Sequence, residues 1–213
     1  MYVPQHFEPP DEAAVRDLLR RHGAADLVTS TADGLVATLL PFVYDEPADD
    51  DSGDLGRLLG HVARNNDQWK RPALGEALVI VRGPDAYVSP SWYPTKREHG
   101  RVVPTWNYVT AHVHGRLVVH DDVAWVEALV RRLTAKHEGG RAEPWAVDDA
   151  PAKFLAGQLR AIVGIEVEIT RVEAKWKLSQ NRPEADRAGV LVGLDAEPSA
   201  AAHDVAAAMR DLP

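Results

Sequence analysis

The sequence predicts an antiparallel β-barrel with peripheral helices, an α+β fold. Three observations carry that prediction. Short β-rich segments recur between residues 24 and 170, an Asp-Gly turn joins the first two, and the helical periodicities show none of the regular strand–helix alternation that a parallel sheet requires. About six or seven strands are expected.

Each element has its own signal. After Pro9 and Pro10, the segment DEAAVRDLLRRHG places Val15, Leu18 and Leu19 on one helical stripe, with acids in the first turn and Gly23 as the stop. Leu27 to Ser30 and Leu35 to Tyr44 flank Thr31-Ala32-Asp33-Gly34, which predicts a β-hairpin. Residues 45–56 are acidic with Pro and Gly and read as a solvated loop; a calcium loop is the alternative, but the EF-hand spacing is absent. Strands are expected at Arg57 to Ala63, Ala77 to Arg82 and Ala86 to Ser89, with a helical turn around Asn66 to Arg71. The β-rich run from Val103 to His120 is long enough to cross a barrel. Asp121 or Asp122 then caps a helix carrying Val126, Leu129, Val130 and Leu133 at i, i+3, i+4 and i+7. A second helix follows Pro151, with Phe154, Leu155, Leu159 and Ile162 inward and Gly164 as its stop. Ile165, Val167 and Ile169 alternate with polar residues as a half-buried strand to Thr170. Pro183 and Pro198 occupy helix-start positions, so two terminal helices follow them.

Composition removes several function classes. Twenty-four Lys and Arg against 32 Asp and Glu leave a net charge of −8, which opposes nucleic-acid binding driven by overall positive charge. The chain has no Cys, so disulfides, thiolate zinc sites and thiol nucleophiles are absent. MYVPQHFEPP lacks a basic and an apolar leader region, and no run of 18 apolar residues occurs; a cytoplasmic protein without a membrane span is expected. There is no HExxH, GxGxxG, P-loop or GxSxG. His112 and His114 would share a strand face, but with no acidic third ligand evident no metal site is expected.

Three Trp-containing segments stand apart: Ser89 to Lys96, Val103 to Tyr108, and Lys175 to Arg182. Any one Trp taken alone reads as core with its N–H satisfied by a carbonyl. Together the segments have the composition of a ligand wall: aromatic faces, amide edges, and cations with hydroxyls that suit a phosphorylated planar heteroaromatic.

The stretches MYVPQHF, Gly60-His61-Val62-Ala63-Arg64 with Gln68-Trp69, Tyr87 to Lys96, Val103 to Tyr108 with His112 and Gly115, Ile162-Val163-Gly164, and Lys177 to Arg182 resemble the PaiB-like family of FMN-binding negative transcriptional regulators. The likeness runs over about residues 1–194, leaving 195–213 as a C-terminal helical extension. It implies an FMN-binding split β-barrel and a homodimer with flavin at the subunit interface. The sequence departs from the family pattern at Leu39, Asp67 and Asp85, where His, Pro and His are common. The candidate cofactor-binding residues are His61, Arg64, Ser91, Trp92, Lys96 and Thr105, and further along Trp106, Asn107, Lys177, Gln180, Asn181 and Arg182. Arg64, Lys96, Lys177 and Arg182 are the cations available to an FMN phosphate. The segment 177–182 has a second reading, a polar turn stitching a strand to the Pro183 helix. The expected function is a flavin-linked redox or small-molecule sensor of the regulator type. An FMN-dependent oxidoreductase is the alternative, although the sequence displays no acid–base dyad, and haem binding through one His is a minor one. Direct DNA binding is expected to be weak.

Overall fold

A computed structural model describes residues 1–47 and 53–212. Six strands close a ring in the order β1-β2-β3-β6-β5-β4, where β1 is Ala24–Thr31, β2 Gly34–Asp45, β3 Arg57–Ala63, β4 Ala77–Val88, β5 Thr105–His120 and β6 Ile162–Lys177. The β1–β2, β2–β3, β3–β6 and β1–β4 pairings are antiparallel. The helices are α1 (Glu12–Arg21), α2 (Thr95–His99), α3 (Val123–Glu138), α4 (Ala152–Arg160), α5 (Glu184–Ala196) and α6 (Ala200–Arg210). This is the barrel-with-helices class that the sequence predicts. Residues 195–213, the expected extension, hold the end of α5 and α6.

The hairpin forms as read. Thr31 pairs with Gly34, whose φ of 110° suits glycine, and the Thr31 hydroxyl donates to the Gly34 carbonyl at 2.9 Å. Asp122, rather than Asp121, caps α3 by accepting from the Trp125 amide at 2.8 Å. Helices follow Pro183 and Pro198 as expected, with Pro183 at the cap position itself. The turn after β3 is a 3₁₀ turn, Asp67–Lys70, whose cap Asn66 accepts from the Gln68 amide at 2.9 Å.

Four expectations need correction. The two strands read at 77–82 and 86–89 are one strand, β4, because Gly83 and Pro84 continue the extended backbone; a Cβ at Gly83 would lie 2.8 Å from Val109 Cβ, so glycine serves close strand approach there, not a turn. The helix after Pro151 ends at Arg160, and Gly164 lies inside β6, since Ile162 and Val163 pair with Ala63 and Val62 and prefer the sheet. Phe154 is 59% exposed instead of inward, Leu159 being the buried residue of that helix. The last strand extends past Thr170 to Lys177, where buried Ala174 and Trp176 carry it on. The acidic loop and its calcium alternative fall partly on residues 48–52, outside the described residues. No group of three or more metal-ligating side chains occurs among the described residues.

The chain divides into two compact units. The first comprises residues 1–18, 82–111 and 173–213; the second comprises 19–81 and 112–172. Within the second, Leu27, Phe42, Leu58, Val79, Val113 and Val167 are fully buried, while Leu59, Leu129 and Leu133 form a separate cluster under α3 with Val43 and Trp125 packed against it. Within the first, α5 and α6 pack on each other around Val190, Leu194, Val205 and Ala206.

Candidate functional site

In the first unit, β6 delivers Lys177 to a turn that closes on itself. Gln180 accepts from the Leu178 amide at 2.7 Å and donates to the Trp176 carbonyl at 2.6 Å. Ser179 takes a left-handed φ of 67°, a strained conformation for a residue with a Cβ, and is held by Asn107, which donates to its hydroxyl at 3.0 Å. Asn107 is fully buried; its Oδ1 lies 3.1 Å from the same Ser179 hydroxyl, and its Nδ2 also reaches Met209 Sδ at 3.5 Å. The Lys177 ammonium donates to Thr105 Oγ1 at 2.7 Å and to the Trp106 carbonyl. Burial, then Lys175 and Arg182, hold it below its ordinary value. The Arg182 guanidinium lies 5.0 Å above the Tyr93 ring, and Asn181 is exposed.

The other candidates of this unit serve two places. Trp92 packs on α5, where a Cβ at Gly193 would fall 2.2 Å from the indole, so its ring forms the seat of that helix. Lys96 donates to Ser91 at 3.0 Å on the surface. Trp106 is 47% exposed, and its N–H donates to Asp85 at 2.8 Å.

The second unit holds His61 and Arg64. His61 shares a face of β3 with Leu59, the face that packs under α3; its Nδ1 is buried without a partner, and burial lowers its basicity. Arg64 makes a two-armed pair with Asp121, at 3.0 and 2.5 Å, and donates to the Arg160 and Ile162 carbonyls at 2.7 and 3.3 Å. These bonds occupy the fork and make Arg64 a clamp within the fold.

A cleft of about 360 Å³ opens in the same unit, lined by Trp69, Lys70, Arg71, Pro72, Ala73, Gly75, Arg116, Leu117 and Val119. Gln68 fixes this wall from behind. Only 2% exposed, it accepts from Thr38 at 2.5 Å and donates to Leu27 O, Thr29 Oγ1 and Val36 O between 3.1 and 3.3 Å. The Trp69 N–H donates to the Arg64 carbonyl at 3.0 Å, which sets the plane of the indole. Arg71 and Lys70 face Asp33 and Asp67 at 3.6 and 3.3 Å, and Arg116 pairs with Glu168. Surface pairs of this kind are worth about 0–1 kcal/mol, whereas a charge-assisted bond to phosphate is worth about 1.5–3 kcal/mol. The cations are therefore available to a bound dianion. Lys70 Nζ and Arg64 Cζ lie 5.4 and 6.0 Å from the Trp69 ring centroid; with apolar Leu117 and Val119 and the cations Arg71 and Arg116 on the same lining, the cleft offers the apolar and cationic groups that FMN's ring system and phosphate need.

Lys70, Arg71 and Arg116 are absent from the candidates read off the sequence. The signal available was the run Trp69-Lys70-Arg71 after a capped turn; nothing in the sequence brings Arg116 to it. The structure also reveals a dyad that the sequence did not display. His120 Nε2 lies 2.6 Å from Oε2 of buried Glu166, and its ring stacks on Trp125 with centroids 4.0 Å apart. Arg57 sits 3.3 Å from the other Glu166 oxygen. Of the three departures, Leu39 is 64% exposed on β2, Asp67 faces Lys70, and Asp85 accepts from Trp106.

Residues 1–171 match the family model described as "Putative FMN-binding domain". "Protease synthase and sporulation protein PAI 2" of Bacillus subtilis is 32% identical over 212 residues, covering 99% of this chain and 97% of its own. An uncharacterized protein of Emericella nidulans is 32% identical over 227 residues, covering 92% and 90%. The flavocytochrome Anf3 of Azotobacter vinelandii has a similar fold, with a TM-score of 0.58 at 16% identity over 88% of this chain and 78% of that one. The FAD and heme binding protein of Mycobacterium smegmatis gives a TM-score of 0.52 at 20% identity over 79% and 72%.

Proposed function

The chain belongs to the PaiB-like FMN-binding domain family, and from that premise we propose that FMN lies in the second unit's cleft, with Trp69, Leu117 and Val119 against the ring system and Lys70, Arg71 and Arg116 on the phosphate. The convergence of three cations and an indole on one cleft carries this reading. Bound flavin supplies reversible hydride and one-electron chemistry. The chain's residues supply the rest: Gln68 holds the Trp69 turn against β1 and β2, and Arg64 with Asp121 ties the end of β3 to the end of β5.

The protein acts in the cytoplasm as a homodimer, as a regulator responsive to a redox or small-molecule state. The regulatory part rests on the Bacillus relative, whose name ties it to protease synthesis and sporulation. The dimer is supported by an apolar outer sheet face. Leu35 and Leu39, 77% and 64% exposed, flank Ala37, which pairs with Val28, and Val28 pairs with Leu78. A net charge of −8 favours regulation through another protein over direct DNA contact.

Absorption spectra of the purified protein test the cofactor: flavin bands, including one at about 450 nm, are expected, whereas a Soret band or no affinity for added FMN overturns the reading. Trp69→Ala should weaken FMN binding by about 3–10-fold, the worth of one stacking contact.

A second reading, an FMN-dependent oxidoreductase acting on a small molecule, is favoured by the His120–Glu166 pair. The carboxylate orients the imidazole through Nε2 and leaves Nδ1 to exchange a proton. Steady-state consumption of a nicotinamide hydride donor in the presence of FMN, with a pH profile altered in His120→Asn, is the result expected of that reading; no turnover removes it.

A further inference from the structure

At the end of β6 the first unit gathers three cations, Lys175, Lys177 and Arg182, that its described carboxylates do not pair. Lys175 is 8% exposed, and among the described residues its partners are the Tyr2 carbonyl at 3.2 Å and three rings, Tyr2, Phe7 and Tyr108, at 5.5 to 5.6 Å. Lys177 shares the Phe7 and Tyr108 rings with it at 5.9 Å. No ion pair to a carboxylate occurs at Lys175, Lys177 or Arg182 among the described residues, and Lys177 is destabilised as a cation by burial and by the other two charges. An ammonium has three N–H donors, and Lys177 uses two of them, on Thr105 and on the Trp106 carbonyl. One donor is left, backed by the field of two further cations.

Beside this donor stands an aromatic surface built to stay in place. Trp106 is 47% exposed, its N–H is fixed by Asp85 at 2.8 Å, and Tyr87, 49% exposed, meets it edge-on at 6.2 Å between centroids. An indole fixed at its polar edge and about half exposed loses little entropy on stacking a planar ligand. Among the described residues, Asp85 is the carboxylate bonded to the platform, and it is engaged at the indole edge.

We propose that Trp106, Tyr87 and Lys177 form a second ligand site, for an aromatic carboxylate whose ring stacks on the indole and whose carboxylate takes the remaining Lys177 donor. The single remaining donor selects a carboxylate over a phosphate dianion, which needs several donors at once. The site is independent of the flavin cleft, since none of its residues lines that cleft.

Benzoate, titrated against the full-length protein and followed by ligand-observed NMR, is the probe, with cyclohexanecarboxylate as the non-planar control. Saturable binding of benzoate is expected, at least fivefold tighter than the control. Trp106→Ala should weaken it at least fivefold and Lys177→Met at least tenfold. Because Lys177 also bonds Thr105, circular dichroism checks that variant's fold, and Trp106→Ala, altered at an exposed ring, tests the site without that complication. Lys70→Ala/Arg71→Ala should bind benzoate as the parent does. Equal binding of both carboxylates, unchanged affinity in Trp106→Ala, or loss in Lys70→Ala/Arg71→Ala overturns the proposal.

Discussion

Two buried polar side chains of the second unit carry more than their size would imply. Gln68 bonds four groups of β1 and β2 while sitting at the base of the cleft's aromatic wall. Truncation leaves buried carbonyls and hydroxyls without partners, so Gln68→Ala should lower unfolding free energy by about 1–3 kcal/mol, read by urea titration. It should also weaken FMN binding, because Trp69 loses its support. His22 shows the opposite economy. Burial, then the nearby Lys136 charge, pulls its pKa down to about 4 from 6.5, so the folded protein holds it neutral with Nδ1 on the Leu19 carbonyl. Between those values the unfolded chain binds a proton that the folded one refuses. Stability should therefore fall as pH drops from about 6.5 to about 4. Urea titrations at both ends of this window should show a smaller fall in His22→Gln than in the parent; an identical fall would assign the effect to another group.

At the scale of elements, α5 is held against the Trp92–Thr95 segment by two kinds of contact. Gly189 and Gly193 of α5 lie against Trp92, and Thr95 is tied to buried Asp186 through its hydroxyl at 2.8 Å and its amide at 3.2 Å. Gly193→Ala drives a methyl into the indole and should cost about 1–3 kcal/mol of stability by thermal or urea unfolding, with FMN affinity in the second unit unchanged. The hairpin, the capped α3 and both terminal helices were readable because their signals are local: Asp33-Gly34, Asp122 before an i, i+4 stripe, Pro183 and Pro198. The failures were equally physical. Gly83-Pro84 looks like a turn until the partner strand is known, and Ile162-Val163 looks helical until β3 claims it. The Trp-rich segments read as a ligand wall in the sequence; in the structure their amides at Asn107 and Gln180 close the fold locally. Arg116 was invisible because 45 residues separate it from Arg71.

For the whole molecule, the proposed flavin cleft and the proposed dimer face use different residues, so each can be tested by itself. If the Leu35–Ala37–Leu39 face is the dimer contact, Leu39→Lys should convert the dimer to monomer by light scattering, since a charge opposite itself across a two-fold axis is strongly disfavoured. A parent protein already monomeric at micromolar concentration would refute the dimer. The site assignment is tested most directly by the FMN dissociation constant of Lys70→Ala/Arg71→Ala measured beside that of Lys177→Ala. Two charge-assisted bonds at about 1.5–3 kcal/mol each predict at least a tenfold loss in the double variant, without a change in melting temperature. Lys177→Ala should bind FMN as the parent does and melt lower, because its ammonium ties β6 to Thr105 and Trp106. Unchanged affinity in the double variant together with a tenfold loss in Lys177→Ala would place the phosphate at the end of β6 and contradict the assignment to the cleft.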